Sequence, residues 1–249
     1  MQGINKHSVG LLILQLIAHV GLISMAFWAA WYHVLITIVI YFLMSGMGAS
    51  IGYHRLFSHK SFTPPTWFKH VCMTCGHMAG IGSAISWVAI HRSHHAHTDR
   101  SDQDPHSPHH HAWYKVLWFS MFEPVQVKLV KDLLRDTTCV WWHTYYWHVH
   151  VTTSLLLMLI SPTMWVCAYL APQALTWSMG GLLNYVNHVW GYRNHATQDE
   201  SRNNWFFALV YWGEGWHNNH HADPRKYHFG ERWWELDVGA WIIKHICKS

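Results

Sequence analysis

No Asp, Glu, Lys or Arg occurs between Lys6 and Arg55, or between Asp136 and Arg193, so the chain holds two charge-free windows of 48 and 56 residues. A soluble domain does not supply such windows, because about a quarter of its residues are charged. A helix crossing the hydrocarbon core of a bilayer needs about 20 apolar residues. Each window therefore accommodates two crossings and a tight turn, which predicts two transmembrane helical hairpins, over about 9–53 and 140–189. The turns are expected near Trp31-Tyr32-His33 and Ser161-Pro162. A hairpin returns the chain to the side it left, so 54–139, 190–249 and both termini share one face.

Charge placement identifies that face. All 17 Lys and Arg fall outside the windows: Lys6, nine from Arg55 to Arg135, and seven from Arg193 onward. Cationic loops stay cytoplasmic. The net charge of +4 is thereby accounted for, and no basic run points to nucleic acid. With 51% apolar and 12% charged residues, and no linker, repeat or low-complexity tract, residues 1–249 read as one all-α integral membrane domain: four transmembrane helices in two hairpins beneath a helical cytoplasmic cap. The N-terminal apolar run lacks a cleavage pattern and is not read as a signal peptide. Five scattered cysteines make no disulfide framework and suit a reducing compartment, and Cys72 and Cys75, without a second pair, read as small residues of an apolar segment. His70 to His91 is uncharged but lies between two histidine motifs that a crossing would separate, so it is expected to be a re-entrant or interfacial helix. Asn203 to Gly213 is expected to be a short buried helix.

The 25 histidines are not scattered evenly. His91, His94 and His95, and again His217, His220 and His221, stand at i, i+3 and i+4, which on a helix points three imidazoles within one arc. Imidazole suits Fe, Zn, Cu or Ni and binds metal without adding negative charge beside a bilayer. A lone ring such as His19 or His33 reads as an interfacial polar residue; two matching triplets do not. His54 and His59 are five apart, about 140° on an α-helix, so they share a face only if the helix ends or bulges between them. Asn184 and His188 stand at i and i+4.

Together His54-Arg-Leu-Phe-Ser-His59, His91-Arg-Ser-His-His95 and Gly213-Glu-Gly-Trp-His-Asn-Asn-His-His221 resemble the three histidine boxes of membrane-bound fatty acyl desaturases of the delta-9 type. Trp87-Val-Ala-Ile, Asp104-Pro-His-Ser-Pro108, Trp190-Gly-Tyr-Arg193, Asp199-Glu-Ser-Arg-Asn203 and Trp233-Trp-Glu-Leu-Asp237 extend the likeness over nearly the whole chain. The resemblance implies a non-haem di-iron centre with dioxygen as co-substrate. Its ligands would be His54, His59, His91, His94, His95, His188, His217, His220 and His221, with a water held by Asn184. This chain departs from the family pattern in having Tyr185-Val-Asn187 between that asparagine and His188. Asn187 is the rival water holder, and the i, i+4 spacing favours Asn184.

The activity implied is insertion of a cis double bond into an acyl-CoA or acyl-lipid. A related di-iron hydroxylase or ketolase is the alternative, and a metal-handling membrane protein a distant one. Trp87 is the candidate wall of the acyl tunnel. Glu214, Asp104 and Asp199 are candidates to orient ligand imidazoles. The closed end of the tunnel is expected among Leu11 to Gly46, and Arg55, Lys60, Lys69 and Arg92 are candidates to meet a phosphate-bearing head group. The chain ends about 28 residues after His221, so the two electrons are expected from a separate donor, a ferredoxin or a cytochrome b5-like protein. His97, about 240° from His91, faces away from the triplet's arc and is read as a bystander, as are His109, His110 and His111.

Overall fold

The computed structural model describes residues 8–100, 103, 104, 106–119 and 126–247. Lys6, Lys248 and Pro105, used in the sequence reading, lie outside them. Every regular element among these residues is helical; two isolated bridges, Tyr192 to Asn203 and Asn203 to Trp216, are the extended pairings.

Helix α1 (Ser8–Ser24) ends in a 3₁₀ turn, Met25–Phe27. Helix α2 (Trp31–Phe42) starts where His33 Nδ1 accepts the Ala30 N–H at 3.0 Å. The first turn is thus just before Trp31 rather than centred on it. The helix continues as a π-helical segment, Leu43–Ser58, and the runs Ser8–Phe27 and Trp31–Ser58 are both long and apolar enough to cross a membrane. The second charge-free window forms α5 (Thr137–Thr144), α6 (Tyr146–Ile160), α7 (Pro162–Trp165), a π turn (Val166–Leu170) and α8 (Ala171–Asn187). Its reversal falls at Ser161, whose Oγ accepts the Met164 N–H at 3.2 Å, as the sequence predicts.

Two expectations need correction. The stretch from His70 to His91 is not one helix: α3 (Thr66–Met78) and α4 (Ala84–His97) are separated by a turn in which Gly80 and Gly82 take φ of 67° and 99°. And the segment from Asn203 to Gly213 is buried on one face only. Its six-residue helix α9 (Trp205–Val210) covers Phe207 and Ala208 but leaves Trp205 and Leu209 64% and 65% exposed, because one and a half turns cannot hide both faces. The last helices are α10 (His217–Ala222) and α11 (Val238–Ile246).

Close backbone contact sets the interior spacing. A Cβ at Gly48 would lie 2.5 Å from the Cys75 carbonyl carbon, and one at Gly76 would lie 2.4 Å from the Tyr53 ring. Glycine at both positions lets α3 lie directly on the π segment, as small residues do between membrane helices. Around this contact a core of Ile51, Tyr53, Phe68, Met73, Val88 and Ile243 is almost fully buried.

The π segment is tied to the C-terminal region by one cation. Arg55 has no exposed surface; Nη1 reaches Asp237 Oδ1 at 2.9 Å, Nε reaches Glu214 Oε1 at 3.3 Å, and the guanidinium lies 3.9 Å from the centre of the Phe229 ring. Removing one partner of a buried ion pair costs about 3–5 kcal/mol, because it strands the other charge. Asp237→Ala is therefore expected to lower the thermal unfolding midpoint in detergent markedly, whereas Lys226→Ala, at an exposed pair, leaves it unchanged; equal midpoints would show that Arg55 is not a structural anchor.

Candidate metal centre

All nine histidines of the sequence reading come together in two groups. His54, His59, His91, His95 and His220 form one, and His94, His188, His217 and His221 the other; within each, one nitrogen per ring lies within 4.8 Å of all the rest. Helix α4 supplies both groups from one face, as the i, i+3, i+4 spacing predicts, and α10 does the same. The five-residue gap between His54 and His59 is closed by the π-helix: its i→i+5 bonding, seen in His59 N–H donating to His54 O at 3.1 Å, brings the ring centres to 4.9 Å. The bulge that the spacing required is thus a regular widening of the whole turn. His97 belongs to neither group, and its Nδ1 lies 3.0 Å from the Ser93 carbonyl.

The nitrogens facing inward are Nε2. In the first group the Nε2 pairs His59–His91, His54–His220 and His95–His220 are 2.8, 3.0 and 3.1 Å apart, and in the second His188 and His217 are 3.1 Å apart. Outward, Nδ1 meets carboxylates: His54 with Glu214 at 2.5 Å, His94 with Asp104 at 2.8 Å and His221 with Asp199 at 2.9 Å. These are the three acids singled out in the sequence. A fourth, Asp99, was missed; its Oδ2 lies 2.8 Å from His188 Nδ1 and also accepts the Glu200 N–H. Its position four residues after His95 gave no helical-face signal, because the helix ends at His97 and Asp99 takes φ of 54°.

This arrangement decides what the cluster can hold. A ring that donates Nδ1–H to a carboxylate presents a bare lone pair at Nε2. In the second group His94, His188 and His221 all do so, leaving His217 as the one possible donor. The buried Nε2 atoms of His94 and His221 have no hydrogen-bond partner among the described residues. No tautomer choice satisfies four such nitrogens, whereas a cation satisfies all of them at once. The donor set therefore fits a metal.

Electrostatics keep most of the rings neutral. Burial pushes His59 down to about 2, and the neighbouring rings add to the effect. His221 is held at about 4 by burial, partly offset by Asp199, and His91, His95, His217 and His220 lie well below the ordinary value through burial and crowding. His94 goes the other way: burial lowers it, but Asp104, with Asp99 and Asp199 adding to it, raises it on balance. Burial raises the Asp99 carboxyl, yet its bond with His188 and other donors bring it down to about 2.

A cavity of about 160 Å³ reaches both groups, its wall including His54, His91 and His217 beside apolar Ile81, Ile90 and Leu183. Trp87 lines it and stacks on His91 with ring centres 4.9 Å apart. Asn184 lines it as well, whereas Asn187 is buried elsewhere with neither side-chain polar atom bonded. Helix α8 adds Thr176, Trp177 and Gly180 to the wall, and no residue from Leu11 to Gly46, the stretch expected at the closed end, lines this cavity. The four cations considered for a head group are already paired: Arg55 as above, Lys60 and Arg92 with Asp132, and Lys69 with Asp136. His109, His110 and His111 diverge, each ring lying about 3 Å from a backbone carbonyl, of His188, Asp99 and Asp104 respectively.

The profile of the family described as Fatty acid desaturase matches residues 29–249. The chain belongs to the fatty acid desaturase family, and its activity is oxygen-dependent desaturation of a fatty acyl chain. It is 35% identical to the sn-2 palmitoyl-lipid 9-desaturase of Nostoc sp. (strain 36), covering 86% of this chain and 78% of the relative. The sn-1 stearoyl-lipid 9-desaturase of Anabaena variabilis is 33% identical over 87% of this chain and 81% of its own length. Delta-9 acyl-lipid desaturase 1 of Arabidopsis thaliana is 32% identical, over 87% and 72%.

The depressed imidazoles have a consequence for pH. Unfolded histidine titrates near 6.5. Between that value and the folded values of about 4 for His221 and about 2 for His59, the unfolded chain binds protons that the folded chain refuses. The contribution of these depressed rings to the stability of the metal-free protein is complete above pH 6.5 and is lost as pH falls through this window. The protein's thermal midpoint is expected to drop between pH 7.5 and 5; a flat profile would show that the rings are not held neutral.

Proposed function

We propose that this chain desaturates an acyl lipid at the delta-9 position, using two iron ions held by the nine histidines. The observation that carries the reading is the convergence of nine Nε2 atoms into groups of five and four against an apolar cavity whose wall includes rings from both. His54, His59, His91, His95 and His220 would hold one ion, and His94, His188, His217 and His221, with a water on Asn184, the other. Bound iron supplies the redox chemistry that unactivated methylenes demand and that no side chain offers. The balance is simple: two hydrogens leave adjacent carbons of the chain, two electrons and two protons come from outside, and one dioxygen becomes two waters.

The protein's own residues provide position and a dry site. Ile81, Ile90, Leu183 and Trp87 exclude water around the acyl chain, and the Trp87 indole, fixed by stacking on His91, sets how closely the methylenes approach the centre. Glu214, Asp104, Asp99 and Asp199 fix ring orientation and tautomer through Nδ1. The lipid substrate is supported by the names of the relatives, all three of them acyl-lipid or lipid desaturases. A separate electron donor, a ferredoxin or a cytochrome b5-like protein, completes the cycle.

The membrane arrangement proposed is four crossings, with α6 and the α7–α8 run joining the first two, beneath a cytoplasmic cap. Support comes from outward apolar faces at Ile13, Val20 and Leu35 in the first hairpin and Leu155, Leu159 and Ile160 in the second, all at least half exposed. Phe27, Trp28, Trp31 and Tyr32 crowd the first turn, where aromatic residues anchor a helix at a membrane interface.

Purified protein loaded with ferrous iron and given a reducing system and a stearoyl lipid is expected to form a double bond only with dioxygen present; mass gain of an oxygen instead would favour the hydroxylase alternative. Zinc competes well for imidazole, and a zinc-loaded, iron-free sample is expected to be inactive; full activity there would end the di-iron reading. His94→Ala should lower bound iron and abolish turnover while His97→Ala keeps both, and equal loss in the two would redraw the ligand set. Single cysteines replacing Phe27 and Ile160 should react with an impermeant thiol reagent from outside intact cells. Reaction only after permeabilisation would overturn the hairpin arrangement.

A further inference from the structure

The two histidine groups are unequal, five rings against four. On the side of the smaller group, the cavity wall that includes His217 also includes Asn184 and His106. His106 stands in the stretch Asp104-Pro-His-Ser-Pro108, but the sequence reading assigns it no role, since it is at no ligand spacing from the histidine triplets. Its N–H donates to Asp104 Oδ1 at 2.9 Å, the oxygen that also meets His94 Nδ1 at 2.8 Å, so one carboxylate aims two histidines. Its carbonyl accepts Nδ2 of Asn184 at 3.0 Å. With Nδ2 spent in this way, Asn184 Oδ1 is the atom left to accept, and no described donor reaches it.

The His106 ring makes no hydrogen bond to any described residue. Its centre is 5.5 Å from His94, as close as those of His188 and His221, each 5.3 Å from His94, yet no His106 nitrogen joins the set lying within 4.8 Å of one another. It is too distant to be a fifth ligand of the same kind and near enough for one water to intervene. A metal-bound water has two O–H groups to give, and this corner offers two acceptors, Asn184 Oδ1 and an imidazole lone pair.

We propose that His106 and Asn184 together hold the water that completes the four-histidine group, which makes His106 a positioning residue of the centre. The proposal rests on the reading that this group binds iron. Because both neighbours of the water are fixed through backbone bonds to or from 106, loss of the ring removes one acceptor without disturbing His94 or the Asn184 amide.

The test compares wild-type protein with His106→Ala and His106→Gln, all loaded with ferrous iron, by iron content, X-ray absorption spectroscopy, and kcat and KM for a stearoyl lipid. His106→Ala is expected to keep the wild-type iron content and KM, to show a lower mean coordination number, and to lose about 10–100-fold in kcat, the usual cost of losing a group that orients a metal site. His106→Gln, which retains an acceptor, should recover part of kcat and the wild-type coordination number. An unchanged spectrum in His106→Ala would overturn the proposal, and so would loss of iron in both variants, which would make the ring a ligand or a packing residue. Wild-type protein that binds no iron would defeat the di-iron reading itself and this proposal with it; wild-type protein that binds iron normally leaves the result to the two variants.

Discussion

Four contacts between carboxylates and Nδ1 atoms, three of them hydrogen bonds, govern the rest of this structure. Without Glu214, Asp104, Asp99 and Asp199, the rings of His54, His94, His188 and His221 could adopt either tautomer and pair with one another as ordinary buried polar groups. With the acids in place, lone pairs are turned inward where nothing but a cation can satisfy them. The arrangement is costly for the empty protein, since buried polar atoms without partners each cost about 1–3 kcal/mol, and His94 Nε2 and His221 Nε2 are two such atoms. Affinity for metal and strain in its absence have the same origin.

The carboxylates are themselves held. Glu214 accepts from Ser50 and Arg55, Asp99 from the Glu200 N–H and Ser107, and Asp199 from Ser201 and Thr197. The histidine centre is therefore surrounded by a second layer of polar contacts that reaches from the π segment to the C-terminal region. Outside that layer the surface is largely hydrocarbon, with whole faces of α1, α2 and α6 exposed. A neutral, histidine-only ligand set is suited to this setting, because ring nitrogens bring no net charge to a site next to a low-dielectric phase.

Much of this was legible in the sequence, for reasons that differ by residue. The histidine triplets were readable because their contacts are local: i, i+3 and i+4 share a helical face whatever the tertiary fold. His54 and His59 were readable as an anomaly, since five residues do not fit an α-helix, but the π-helix that resolves it depends on packing against α3 through Gly48 and Gly76, which no local rule reveals. Asp99 was not legible, and His106, although inside the quoted Asp104-Pro-His-Ser-Pro108, gave no sign of a role. Both lie in irregular chain after α4, where the orientation of a side chain is decided by partners such as His188, about ninety residues away.

The π-helical segment carries a further meaning for how the protein is made. His54 and His59 are made well before their partners: each group also draws on α10, about 160 residues further along, and Arg55 on the same segment is neutralised by Glu214 and Asp237. Neither group can close, and Arg55 has no buried counter-charge, until the segment from Glu214 to His221, about 160 residues further along, has left the ribosome. Contacts this distant along the chain are the slowest to form. On the proposed membrane arrangement, the first hairpin waits in the bilayer during translation with its guanidinium and imidazoles at the aqueous surface, and the segment from Glu214 to Asp237 acts as the bolt that draws them inward.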